Sequence, residues 1–79
     1  MANVLIIDDN PTNRETFEDI LTDEGHACLT AGSGEEGLAK LTAAAVDCVL
    51  CDLKLPNLDG LATMELAHER HGAVPWILI

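Results

Sequence analysis

Val46 to Gly60 reads Val-Asp-Cys-Val-Leu-Cys-Asp-Leu-Lys-Leu-Pro-Asn-Leu-Asp-Gly, an apolar run delivered into a carboxylate, with Pro56 and Asp59-Gly60 close behind. The order of residue types predicts a buried strand over Val46 to Cys51, an acid at its C-terminal mouth (Asp52), and a loop in which Pro56 stops the sheet. Ligands of open α/β sheets bind just beyond the carboxyl ends of the strands, where loops carry polar groups without breaking sheet hydrogen bonds. Asp52 is therefore a candidate for chemistry.

Working outward, Asn3 to Ile7 is a second unbroken apolar run, and it ends in Asp8-Asp9-Asn10. β-Branched residues without polar alternation suit a central parallel strand covered on both faces. Pro11 fits a first helical turn capped by Asn10. Helical spacing turns Phe17, Ile20, Leu21 and Glu24 inward and sends Arg14, Glu15, Glu18 and Asp19 to water, with Gly25 ending the helix. His26 to Ala31 is a short, partly apolar edge strand. Ser33 and Glu36 form a capping-box pattern that opens a helix with Leu38, Leu41 and Ala45 inward. Gly37 inside that helix costs about 1 kcal/mol relative to Ala, and the sequence offers no reason for it. A third helix over about Asp59 to Arg70 uses Leu61, Met64 and His68, and Val74 to Ile79 is a last strand with Pro75 at its start.

The order is βαβαβαβ, which implies a parallel sheet with right-handed crossovers and helices on both faces. A chain that stops inside an apolar strand is expected to leave a hydrophobic edge and part of one sheet face uncovered.

The 79 residues make one domain, which buries only about 60% of its unfolded surface. Fourteen Asp and Glu stand against Arg14, Lys40, Lys54 and Arg70, for a net charge of −10. Such a surface disfavours nucleic acid and anionic membranes, and favours divalent cations and basic partners. No apolar stretch approaches the ~20 residues of a membrane span, and no signal peptide opens the chain, so a cytoplasmic location is expected. Cys28, Cys48 and Cys51 suit reduced thiols. Cys48 and Cys51, three apart on a strand, point to opposite faces and cannot share a metal or a disulfide. His68 and His71, near a helix C-terminus, are explained by its dipole at least as well as by a metal site. Trp76 reads as core or edge rather than as a stacking platform.

The two most buried strands by composition, the first and third, are expected to be neighbours, so Asp8, Asp9 and Asp52 converge. Three such carboxylates repel one another unless a hard cation sits between them, and Mg²⁺ accepts a few carboxylate oxygens alongside retained waters. With the charge so held, Asp52 is placed to attack a phosphoryl group. Acids after strands also cap helices and turns, and the residues alone leave both readings standing.

Leu5-Ile6-Ile7-Asp8-Asp9-Asn10, the Ala31-Gly32-Ser33-Gly34-Glu35-Glu36 turn, the Asp52-x-x-x-Pro56-x-x-Asp59-Gly60 loop and the Val74 to Ile79 strand together resemble the receiver domain of two-component response regulators. The resemblance implies a flavodoxin-like doubly wound sheet, incomplete at the C-terminus, with residues 1–79 forming a receiver domain that stops before its fourth helix, fifth strand and fifth helix. It implies that Asp52 takes a phosphoryl group from the phosphohistidine of a sensor histidine kinase or phosphotransfer protein. Asp9 would then bind Mg²⁺ directly, Asp8 mainly through water, and the Lys54 backbone carbonyl would be a third protein ligand, while Pro56 and Gly60 shape the loop. Such a module catalyses its own phosphorylation and is not a conventional metabolic enzyme. By the same resemblance, a complete receiver continues past the fourth strand with a Ser or Thr and a Lys that contact the phosphoryl group, and the sequence to Ile79 does not include them. A receiver-like interaction module that is not phosphorylated, pairing or swapping through the fourth strand, is the alternative. An Asp-nucleophile phosphatase would carry a second acid where Lys54 stands.

Overall fold

The computed structural model describes residues 1–79. β1 (Asn3–Ile7), α1 (Pro11–Asp23), β2 (Ala27–Ala31), α2 (Gly34–Ala43), β3 (Cys48–Cys51), α3 (Gly60–His71) and β4 (Trp76–Leu78) follow in chain order. All strand pairs are parallel, and the sheet order is β2-β1-β3-β4. The two continuous apolar runs are thus central neighbours, and the partly polar β2 is an edge.

Register explains where the core sits. Ala31, Ile7, Cys51 and Leu78 lie abreast, as do Leu29, Leu5, Val49 and Trp76. Residues two apart on a strand share a face, so these two rows look the same way. Ala31, Leu5, Ile7, Val49 and Cys51 form one cluster with Leu38 and Leu41 of α2, Ala67 of α3 and Leu55, while Trp76 and Leu78 pack at its margin. The opposite face carries the row Ile6, Leu50, Ile77. Ile6 lies buried beside α1, Leu50 is half-buried, and Ile77 is 52% exposed. That face is covered beside β1 and exposed toward β4.

Several boundaries and faces differ from the sequence reading. β2 starts at Ala27 because the His26 amide still donates to Leu21 O at the end of α1 (3.0 Å). β3 starts at Cys48, not Val46. The Asp47 carboxylate instead accepts the Asn3 amide (2.7 Å) and fastens the approach to the strand. β4 is confined to Trp76–Leu78. α1 buries none of its residues fully: Phe17 and Leu21 are half-buried, and Ile20 and Glu24 are exposed. Ala45 lies beyond the end of α2 and is exposed. The inward face of α3 is Gly60, Thr63 and Ala67, whereas Leu61 is exposed and Met64 and His68 are half-buried. Small residues on that stripe let α3 approach its neighbours closely, and the Thr63 hydroxyl meets its hydrogen-bonding need by donating to Asp59 O (2.7 Å).

The cost of Gly37 has a cause in the packing. A methyl group at that position would drive into Cδ1 and Cγ1 of Ile7, a fully buried residue. Gly37→Ala should gain about 1 kcal/mol of helix propensity but lose about 1–3 kcal/mol to overpacking. The expected outcome is a net loss, read as a lower urea midpoint with an unchanged slope. A stabilised variant would contradict this packing account.

Candidate functional site

Sheet register builds the site. Ile7 and Cys51 are partners across β1 and β3, so the next residues, Asp8 and Asp52, stand abreast where both strands end. The Asp52 amide donates to Ile7 O (2.8 Å), and the Asp8 amide to Ala31 O (3.0 Å). Carboxylate oxygens of Asp8, Asp9 and Asp52 lie within 4.8 Å of one another. Asp8 is only 2% exposed, Asp52 is half-buried, and Asp9 faces solvent.

Backbone amides orient two of the three acids. Asp8 Oδ1 accepts the Asn10 amide (2.9 Å), and Asp52 Oδ1 accepts the Lys54 amide (3.0 Å). Asn10 in turn caps α1, its Oδ1 accepting from Thr12 and Asn13 (2.9 and 3.3 Å), with Pro11 at the first helical position. The acid turn is thus tied to the start of a helix.

The loop after Asp52 is closed by Gly60. Its amide donates to Leu53 O (3.0 Å), and a methyl group on it would collide with the backbone carbonyl of Asp52. Asn57 takes a left-handed conformation at φ 65°, a region that Asn tolerates better than most residues. Pro56 and the Lys54 side chain are exposed, while Leu55 is buried as the anchor between them. Asp59 Oδ1 accepts the Ala62 amide (2.8 Å), so the acid of the Asp-Gly pair caps α3 and stands apart from the three-acid cluster.

No basic side chain neutralises the three acids by an ion pair. The chain's salt bridge is Lys40 to Glu36 (3.3 Å), within α2. Three carboxylates at this separation, two of them oriented by amides and none paired with a cation of the chain, form an all-oxygen donor set suited to a hard divalent ion.

Beneath the site, burial pushes the Cys51 thiol up to about 12, and the negative charge of Asp52 adds to the shift. Cys51 therefore stays protonated near neutral pH, and its Sγ donates to Asp52 O (3.4 Å). It belongs to the core cluster, and Cys48 does not, as their spacing required. His68 Nε2 donates to Val74 O (2.9 Å) and the ring meets Trp76 edge-on, whereas His71 turns to Thr42. The two histidines do not form a pair.

Sequence reasoning missed Arg14, which it sent to water. The side chain is half-buried, and its Nη1 donates to the Asp8 main-chain carbonyl (2.7 Å). A long basic residue one turn inside the helix that follows the acids was the available signal. The capping box also differs in detail. Ser33 Oγ accepts the Glu36 amide (3.1 Å) as expected, but Glu36 reaches back one residue further and accepts the Gly32 amide (3.2 Å). That amide and the Lys40 ammonium hold the Glu36 carboxyl below its usual range.

The family model for the response regulator receiver domain matches residues 4–79. The chain belongs to that family. Among curated proteins, this receiver domain is 38% identical over 74 residues to the DNA-binding transcriptional regulator NtrC of Klebsiella pneumoniae, covering 94% of this chain and 16% of that protein. It is 42% identical over 57 residues to the sensor histidine kinase RcsC of Salmonella typhimurium, covering 72% of this chain and 6% of RcsC. The receiver thus spans a small part of the curated relatives it matches. Its fold superposes on the chemotaxis protein CheY4 of Vibrio cholerae with a TM-score of 0.94 at 29% identity, over 99% of this chain and 67% of that one. NtrX of Brucella abortus gives a TM-score of 0.91 at 33% identity, over 98% of this chain and 18% of NtrX. These neighbours share the flavodoxin-like sheet, and no helix of the receiver is long and apolar enough to cross a membrane.

Proposed function

We propose that this receiver accepts a phosphoryl group on Asp52 from the phosphohistidine of a sensor histidine kinase or phosphotransfer protein, with Mg²⁺ at the acid cluster. The observation that carries the reading is the convergence of Asp8, Asp9 and Asp52 within 4.8 Å at the mouths of β1 and β3, with no ion pair to relieve their charge. Asp9 would hold the ion directly, Asp8 mainly through water, and the Lys54 carbonyl would add a neutral ligand.

When bound, Mg²⁺ neutralises the negative charge on the oxygens of the group in transfer. The chain's own residues do the rest. Ile7 and Lys54 hold the Asp52 peptide and carboxylate in place through the amide contacts described above. An Asp52 oxygen bonds to phosphorus as the P–N bond to the donor imidazole breaks, and the electron pair returns to that nitrogen, which takes up a proton. Pro56 and Gly60 give the loop the shape that keeps this carboxylate at the strand end.

Incubated with acetyl phosphate and Mg²⁺, the protein is expected to gain one phosphoryl group by intact mass. Several kcal/mol of charge stabilisation by the ion correspond to a rate loss of about a hundredfold or more when EDTA removes it. Unchanged labelling in EDTA would contradict the metal-dependent reading.

A further inference from the structure

Of the four basic side chains, only Arg14 donates a hydrogen bond to the acid turn, and it does so to the backbone rather than to a carboxylate. It leaves α1 one turn after the Asn10 cap, and its own amide donates to Asn10 O (3.1 Å). Its Nη1 also lies 3.3 Å from where a side chain on Gly32 would begin, beside the Glu36 carboxylate that accepts the Gly32 amide. The guanidinium therefore bridges α1, the acid turn and the loop that opens α2.

Asp8 is held at three atoms as a result. Its N–H donates to Ala31 O, its Oδ1 accepts from Asn10, and its C=O accepts from Arg14. The last of these fixes the peptide that joins Asp8 to Asp9. We infer that Arg14 is a positioning residue for divalent-cation binding, setting the separation of the Asp8 and Asp9 carboxylates from Asp52 by locking the peptide between them. This rests on the metal site proposed above.

Charge and geometry make opposite predictions here. A guanidinium bonded to the Asp8 carbonyl adds positive charge beside the acid turn, so on Coulomb terms alone its removal would tighten cation binding. If its role is to hold the turn, removal must weaken binding despite that relief. Partners that orient metal ligands typically contribute about tenfold or more in affinity.

The test is Mn²⁺ binding to the unphosphorylated protein, followed by the loss of the free-ion electron paramagnetic resonance signal, with metal-free melting curves recorded alongside. Arg14→Met should bind Mn²⁺ about tenfold more weakly than the parent while remaining folded. Arg14→Lys keeps the charge but not the planar fork and should fall in between. Equal or tighter binding by Arg14→Met overturns the inference. Should Arg14→Met fail to fold, Arg14→Lys decides: weaker binding than the parent supports the inference, and unchanged binding overturns it. A parent protein that takes up no Mn²⁺ overturns the metal site itself and the role of Arg14 with it, an outcome distinct from the others.

Discussion

Asp52→Asn is expected to reduce phosphoryl uptake from acetyl phosphate to background while leaving the fold intact. The amide retains the shape of the side chain and an oxygen able to accept the Lys54 amide, so the strand end and its loop keep their contacts. What it lacks is the anionic oxygen that bonds to phosphorus. Removing one of three mutually repelling carboxylates should also leave the metal-free melting temperature no lower than that of the parent, and somewhat higher at low salt. Loss of labelling accompanied by loss of folding would place Asp52 in a structural role instead. Full labelling of the variant would move the acceptor elsewhere.

Gly60→Ala should be the most damaging small substitution in the loop. The added methyl group meets the Asp52 carbonyl oxygen and carbon and the Leu53 Cα, all backbone atoms, so no rotamer change relieves the clash. The Gly60 amide is bonded to Leu53 O, which holds the two ends of the loop together at the point of collision. Overpacking of this kind reaches about 3 kcal/mol. A 79-residue domain has about 4–12 kcal/mol in all, so the loss is a large share of the total. Urea unfolding should show a clearly lowered midpoint, and the folded fraction should label more slowly because the Asp52 peptide has moved. A midpoint equal to that of the parent would mean that the loop yields easily and that Gly60 does not shape the site.

Fold and site were legible in the sequence to different depths. Val-Leu-Ile-Ile in β1 and Val-Leu-Cys in β3 carry no polar alternation, and only central parallel strands need that pattern, so their adjacency and the convergence of Asp8, Asp9 and Asp52 could be read directly. Two caps were equally plain, because Asn10 and Ser33 each act on amides two or three residues away, whereas Asp59 was read as the first residue of α3 and proves to be its cap. Helix faces were harder. α3 turns its small residues Gly60, Thr63 and Ala67 inward and leaves Leu61 outside, which hydrophobicity alone ranks in the wrong order. Close approach of a helix to its neighbours depends on the size of side chains from other elements, and one helix read alone does not contain it.

The same limit applies to Gly37 and Arg14. Gly37 makes sense only against Ile7, thirty residues earlier, and Arg14 only against a carbonyl that the chain brings back to it through the turn at Asn10. A charged residue on a helix is most often solvated, and periodicity sent Arg14 to water for that reason. Its head group instead bonds to the Asp8 carbonyl and lies beside Gly32 in the loop before α2.

The most direct test of Asp52 as the phosphoacceptor is to locate the group chemically. The protein would be labelled with acetyl phosphate and Mg²⁺, reduced with borohydride, which converts an aspartyl phosphate to homoserine, and sequenced by peptide mass spectrometry. The account predicts homoserine at position 52 and at no other acid. Homoserine at Asp8, Asp9 or Asp59, or a phosphoryl group that resists borohydride and stays on a hydroxyl or imidazole, would contradict it.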